Sequence, residues 1–426
     1  MSIVPYLVTP LSEPLHSLEQ KILSQQVNVE CWLRQQWRGL VAPIYSSVDL
    51  RNSGFKIAPV DTNLFPAGFN NLNRDFMPLC VQAIQATLSK QFPQVSSILL
   101  IPENHTRNTF YLENIATLND ILECAGFTVR LGSIATDIEL PIELETASGR
   151  KINLHPIVKQ DDHLQSGEFI PDLILLNNDL SNGHPEIFQG IKQPIIPDLN
   201  LGWGNRLKSV HFNQYKKVAD EFAELVDIDS WLINPLFRNC GEVDFMQGKG
   251  ADCLEYNSNV LFRNIKRKYA EYRIDDEPFI IVKADAGSYG MGVMSVKSPE
   301  ELLNLNRKQR THMAKTKGKQ TVSKVILQEG IYTFERWDQH VAEPVVYMIG
   351  EHVVGGFYRV NTKRGDTENL NAPGMHFEPL AFSDNCQAIG QTKCEASQRR
   401  FYVYSVIARL AALASARELQ EIQKGG

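Results

Sequence analysis

The chain has 426 residues, 43% hydrophobic and 22% charged, with a formal net charge of −6. That length implies about two or three domains, the mixture is that of a soluble globular protein, and the negative balance argues against a general nucleic-acid binder. No apolar run reaches membrane-spanning length, the opening MSIVPYLVTPLSEPLHSLEQ lacks the basic and apolar parts of a signal peptide, and the seven cysteines are scattered without a C-x-x-C. Together these predict a cytoplasmic protein with reduced thiols and no membrane partner.

Residues 18–40 carry Trp32, Leu33 and Trp37 near one face of a predicted helix. The stretch SSVDLRNSGFKIAPVDTNLFPAGFNNL (46–72) reads as strand, Asn-Ser-Gly turn, strand and a Pro/Gly loop. Residues 96–134 predict a β-α-β unit, with a buried strand at 98–101, a helix near 111–124 and a stop at Gly126. The apolar runs DLILLNND (172–179) and QPIIPDL (193–199) continue the alternation. Residues 73–205 are therefore expected to form a Rossmann-like α/β domain with a largely parallel sheet.

HFNQYKKVADEFAELV (211–226) is an amphipathic helix. Further on, PFIIVKADAGSYGMGV runs a strand into Lys283 and then into a loop with Gly287, Ser288, Gly290 and Gly292. Backbone N–H groups of such a loop can wrap a phosphate, with Lys283 as a point charge. A plain glycine-rich hairpin is the other reading, and the spacing fits neither the P-loop nor the dinucleotide fingerprint. Residues 307–324, with seven Lys/Arg and no acid, read as a solvated basic loop or as an attractor of anionic substrates. KVILQEGI, the hairpin pattern EPVVYMIGEHVVGGFYRV and a long Ala/Leu-rich helix close the chain.

These parts, in this order, resemble ATP-grasp carboxylate–amine ligases such as glutathione synthetase. The resemblance implies that Lys216 and Lys283 are the two ATP lysines. Gln328 and Glu329 resemble the hinge that holds adenine, Glu343 to Arg359 the central hairpin, and NLNAPG at 369–374 a family loop. The metal strand that this fold places after its last helix is missing there. Its shape recurs at the other end, as Asp49 on one strand and Asp61-x-Asn63 on the next. The i, i+2 spacing turns Asp61 and Asn63 to one face, and hard oxygen ligands suit Mg²⁺. A mixed α/β, circularly permuted ATP-grasp fold is expected. Residues 1–72 complete the metal site, 73–205 form the pre-ATP-grasp domain, 206–380 bind nucleotide, and 381–426 are a helix packed on the core. Asp244, Glu255 and Asn257 in DFMQGKGADCLEYN are a competing metal set.

The whole chain, with GFKIAPVDTNLFPAGFNNLNRDF, VKADAGSYGMGVMSV and NLNAPGMHFEP foremost, is similar to the proteobacterial glutamate–cysteine ligases of the Thiobacillus ferrooxidans type. That implies ATP- and Mg²⁺-dependent joining of the γ-carboxyl of L-glutamate to L-cysteine through an acyl phosphate. The products are γ-glutamylcysteine, ADP and phosphate, and the step is the first of glutathione synthesis. In that chemistry Lys216 and Lys283 hold phosphates, and Gly287, Ser288, Gly290 and Gly292 form a lid. Asp49, Asp61 and Asn63 hold Mg²⁺, and Arg359 faces the acyl phosphate. Arg51 binds the glutamate carboxylate, ahead of Lys56, Asn371 and Arg107. His105 and His376 are expected to be structural or surface groups. A ligase with another amine acceptor, a nucleotide-binding regulatory protein without turnover and a plain α/β sugar- or phosphate-binding protein stay open, as does homo-oligomerisation.

Overall fold

A computed structural model describes residues 13–104, 107–135, 138–181, 183–287, 292–314, 322–380 and 392–425. Helices α1 (Glu13–Ser24) and α2 (Gln26–Gln36) precede a hairpin of β1 (Tyr45–Asn52) and β2 (Ile57–Asn63). Then come α3 (Met77–Gln91), β3 (Ser97–Pro102), α4 (Thr109–Cys124), β4 (Thr128–Ser133), β5 (Ile142–Glu145) and β6 (Lys151–Pro156). A small ribbon of β7 (Val158–Gln160) and β8 (His163–Gln165) leads to β9 (Leu173–Asn177), β10 (Ile195–Ile196) and α5 (Lys208–Val226). Next are β11 (Phe237–Cys240), α6 (Ala251–Tyr272), β12 (Ile280–Ala284), β13 (Val293–Val296), α7 (Pro299–Leu303), α8 (Arg307–Met313) and β14 (Val325–Glu329). The last elements are β15 (Arg336–Trp337), β16 (His340–Ile349), β17 (His352–Asn361), β18 (Met375–Pro379) and α9 (Thr392–Gly425).

Three larger sheets organise this mixed α/β chain. The first runs β18-β17-β16-β1-β2, all antiparallel, so the hairpin of residues 45–63 is inserted beside strands that begin at 340. The second, β10-β9-β3-β4-β6-β5, is parallel except for β5 at its edge. Its central strands are apolar throughout, with Ile98–Ile101 and Leu173–Leu176 fully buried, as expected where both faces are covered. The third is the antiparallel set β11-β14-β12-β13.

Local chemistry explains where elements differ from the sequence reading. The helix expected over 18–40 breaks in two, because Gln25 leaves helical dihedrals at ψ 18°. QPIIPDL yields only a two-residue strand, since Pro194 and Pro197 flank it without N–H donors. The basic stretch opens as helix α8, started by a capping box between Asn306 and Gln309; residues 315–321 lie outside the described part. Helix α9 is buried nearly all round over residues 403–416. Val403, Ile407, Leu410, Ala411, Ala414 and Ala416 are buried among α5, α1 and one face of the first sheet, against Val48, Leu50, Val346 and Met348. That covering leaves the sheet's opposite face free to line a cavity.

Candidate active site

The other face of the first sheet, packed in part against α3, floors a cavity of about 940 Å³. Side chains alternate faces along a strand, so every second residue points into it. Register aligns three rows across the strands: Glu343–Arg359–Phe377, Asp61–Asp49–Val345–Phe357, and Asn63–Ser47–Tyr347. The floor is thus charged over β1, β2 and the Glu343–Arg359 pair of β16 and β17, and aromatic where Phe357 and Phe377 of β17 and β18 adjoin it. The third sheet supplies Ile281, Lys283, Val293 and Gln328 as one wall, and residues 65–71 and 108–114 supply another.

At the charged end the ions form one chain. Arg359 donates to Asp49 at 2.7 Å and to Glu343 at 2.7 Å, and Glu343 accepts from Arg51 at 3.0 Å. Burial pushes the Asp49 carboxyl up, and the Arg359 guanidinium pulls against it. Burial also acts upward on Glu343, but Arg51 and Arg359 outweigh it and hold this carboxyl low. Burial would raise Asp61 too, yet Lys208, Lys283 and Arg206 keep it at about 2. Lys283, drawn down to about 8 by burial, donates to the Val60 carbonyl at 2.8 Å and to Gln328 at 2.7 Å. Lys208 Nζ lies 3.5 Å from Asp61.

A strap from Trp203 to Ser209 holds these groups in register. Trp203 Nε1 donates to Asn63, and its carbonyl accepts from Gly287 N at 2.7 Å. Arg206 donates to the Thr62 carbonyl at 2.7 Å and to Glu418 of α9. The Asp285 carboxylate accepts from the N–H and hydroxyl of Ser209 at the start of α5, which also offsets the helix's free N–H groups. Asp285 and Gly287, the end of β2 and the first turn of α5 therefore meet at one place.

The family profile described as GshA, glutamate-cysteine ligase, matches residues 19–419. The chain belongs to the glutamate–cysteine ligase family. A crystal structure from Methylobacillus flagellatus KT, provisionally titled a γ-glutamylcysteine synthetase, is 53% identical over 99% of this chain and 100% of that one, with a TM-score of 0.90. D-alanyl-alanine synthetase A from Vibrio cholerae covers 74% of this chain and 81% of its own at 10% identity and a TM-score of 0.33, a likeness that carries no argument. No curated protein matches. The activity is thus glutamate–cysteine ligation, the first step of glutathione synthesis. Among the described residues no helix is long and apolar enough to cross a membrane.

Family membership leaves the individual residues to be placed by geometry. The cavity gathers Asp49, Arg51, Asp61, Asn63, Lys283, Gln328, Glu329, Arg359 and Asn371. Lys216 does not join them: it is 56% exposed and paired with Asp220 on the outer face of α5. Lys208, eight residues earlier, is the lysine of that helix that lines the cavity. Arg51 offers no open fork to a substrate carboxylate. Besides Glu343 it bonds the carbonyls of Ile331, Asp366 and Glu368, which ties the 366–368 loop to β1. Lys56 is fully buried, 2.7 Å from Glu329 and over the Trp231 ring. The Glu329 carboxylate is committed to Lys56, Trp231 and Leu236 N. Arg107 is exposed and outside the cavity lining. His376 sits on the lining, 3.6 Å from Glu378. Gly287 and Gly292 take left-handed φ of 76° and 63°, and Gly287 N is already bonded to Trp203. Ser288, Gly290 and His105 lie outside the described residues.

Among the described residues no three His, Cys, Asp or Glu side chains converge as a metal cage. Mg²⁺ usually takes one or two carboxylates, with waters and substrate phosphates completing its octahedron. Asp49 and Asp61, opposite each other across β1 and β2, fit that requirement. Asn63 does not, because its Oδ1 accepts from Phe65 N at 2.8 Å and Trp203 Nε1 at 3.1 Å. None of the competing set lines the cavity. Asp244 caps a turn through Met246 N and Gln247 N, and Asn257 on α6 bonds Arg238 and Cys253.

Proposed function

We propose that the cavity binds ATP, glutamate and cysteine together and ligates them through γ-glutamyl phosphate. The observation that carries this is convergence: Lys283, Lys208, Asp61, Asp49 and Arg359 reach one cavity from four separate stretches of chain. A glutamate γ-carboxylate oxygen attacks the γ-phosphorus and ADP leaves. The cysteine amine then attacks the acyl carbon, the C–O bond to phosphate breaks, and the amine's proton leaves with the products. Neither step needs a covalent protein intermediate, so positioning and charge neutralisation supply the rate.

Lys283 and Lys208 neutralise the phosphates. Ile281, Val293, Gln328 and Ile331 flank the base, and Glu329 holds that edge through Lys56 rather than by touching ligand. Among the described residues the buried Nε of Arg359 has no partner, which makes it a donor available to the developing acyl oxyanion. Arg51 fixes Glu343 and, through it, the angle of Arg359. Mg²⁺ on Asp49 and Asp61 would offset charge on the transferring phosphoryl group. This reading makes the molecule an ATP-grasp ligase whose metal hairpin sits at the start of the chain instead of the end, with residues 73–205 as its Rossmann-like companion. A cytoplasmic setting suits a free-thiol substrate.

Phosphate release is expected only with ATP, glutamate and cysteine all present, and release undiminished without cysteine would defeat the scheme. A charge-assisted hydrogen bond contributes about 1.5–3 kcal/mol. Lys208→Ala should therefore raise the KM for ATP at least tenfold, while Lys216→Ala leaves it unchanged. Equal effects would remove the assignment.

A further inference from the structure

We infer that the aromatic end of the cavity is the acceptor subsite, holding the uncharged thiol side chain of cysteine against Phe377, Phe357 and Phe110; this rests on the ligation proposed above. Three large apolar side chains are left exposed here, Phe110 at 73%, Met375 at 40% and Phe377 at 37%. All three line the one cavity. They come from distant elements, α4 and β18, so their gathering is not an accident of one strand's pattern.

The wall beside them is neutral. Lining residues from 65–71 and 108–114 are Phe, Ala, Gly, Asn and Tyr, with no charged side chain. Asn114 fastens the two segments by accepting from Gly68 N at 2.8 Å and Phe69 N at 3.0 Å, and the turn at Phe69–Asn71 packs on β18. Phe357 and Phe377 meet edge to face at 4.8 Å between centroids, and Tyr347 lies tilted against Phe357 at 5.4 Å.

Charge decides which substrate belongs there. ATP phosphates and the two carboxylates of glutamate need the ionic end, since burying them against rings would leave charge unpaired. Adenine is apolar too, but the slot of Ile281, Val293 and Gln328 lies beside Lys283, where the phosphates must follow. The remaining apolar group is the CH₂SH of cysteine, and sulfur against ring edges is a favourable contact. Phe377 is the direct cross-strand neighbour of Arg359, and such neighbours have Cβ atoms about 5 Å apart. A thiol on Phe377 therefore sets the amine beside the group assigned to the acyl phosphate.

The test compares wild type with Phe377→Ala and Phe110→Ala, both exposed positions on separate elements. KM values for cysteine, glutamate and ATP are measured, together with glutamyl hydroxamate formed when hydroxylamine replaces cysteine. Hydroxylamine attacks the same acyl carbon but has no side chain to be recognised. Both variants should raise the cysteine KM about tenfold, keep glutamate and ATP within about twofold, and form hydroxamate at the wild-type rate. An unchanged cysteine KM alongside normal hydroxamate formation would overturn the subsite alone, as would a rise confined to ATP. Failure of the wild type itself to form hydroxamate would overturn the acyl-phosphate reading beneath it.

Discussion

Lys283 carries its charge at a price set by its surroundings. Burial lowers its pKa to about 8, with Asp61 pulling upward and Lys208 and Arg51 pushing down. Below that value the amine is protonated and attracts phosphate; above it the charge is lost. The kcat/KM for ATP, which reports the free enzyme, should fall as pH rises through about 8. Lys283→Arg, which does not titrate in this range, should lose that limb even if its overall activity is lower. A limb that survives in the variant would belong to another group. The residue scale also shows what the sequence could reveal. The i, i+2 rule put Asp61 and Asn63 on one face without knowledge of partners, the resemblance pointed to Asp49 and Arg359, and all four line the cavity; the partners that occupy Arg51 were not legible. Nor was Lys208. Eight residues turn a helix by about 80° beyond two full turns, enough to separate an exposed lysine from a buried one. Which of the two meets ligand depends on β2, more than 140 positions away.

At the scale of elements, α9 was plain from its Ala/Leu run, but its polar anchors were not. Nothing in the sequence marks out Glu418 or Glu335, yet both are buried because residues distant in sequence come to meet them. Glu418 joins Arg206 and His211. Glu335 accepts from Tyr404 of α9, which in turn accepts from Asn52 of β1. Among the described residues one oxygen of Glu335 has no partner, and burial pushes the group from 4.5 up to about 7. Between those values the folded protein keeps a proton that the unfolded chain has lost, so stability declines as pH rises through this window. The shift corresponds to roughly 3 kcal/mol. Glu335→Gln keeps the acceptor for Tyr404 and removes the titration. Thermal melts of the variant should lack the decline between pH 4.5 and 7, and at pH 8 its Tm should exceed that of wild type. A variant with the wild-type slope would place the titrating group elsewhere.

Across the whole molecule, the cavity exists only because two sheets share it. The first gives Asp49, Asp61 and Arg359; the third gives Lys283 and Gln328. They are already bridged without ligand, by Lys283 on the Val60 carbonyl, Lys56 on Glu329 and Arg51 on the Ile331 carbonyl. A nucleotide that bridges them again should stabilise both together. A ligand that binds only the folded state contributes about 2.7 kcal/mol at a hundred times its Kd, which shifts the Tm by several degrees in a chain of this size. A non-hydrolysable ATP analogue with Mg²⁺ should therefore raise the Tm. Chelating the metal should shrink that shift, Lys283→Ala should abolish most of it, and Asp61→Asn should make it insensitive to chelation. Asp244→Asn should respond as wild type does. If the shift ignores the metal in every variant, the Asp49–Asp61 pair does not bind it. If Lys283→Ala leaves the shift intact, the nucleotide does not span the two sheets.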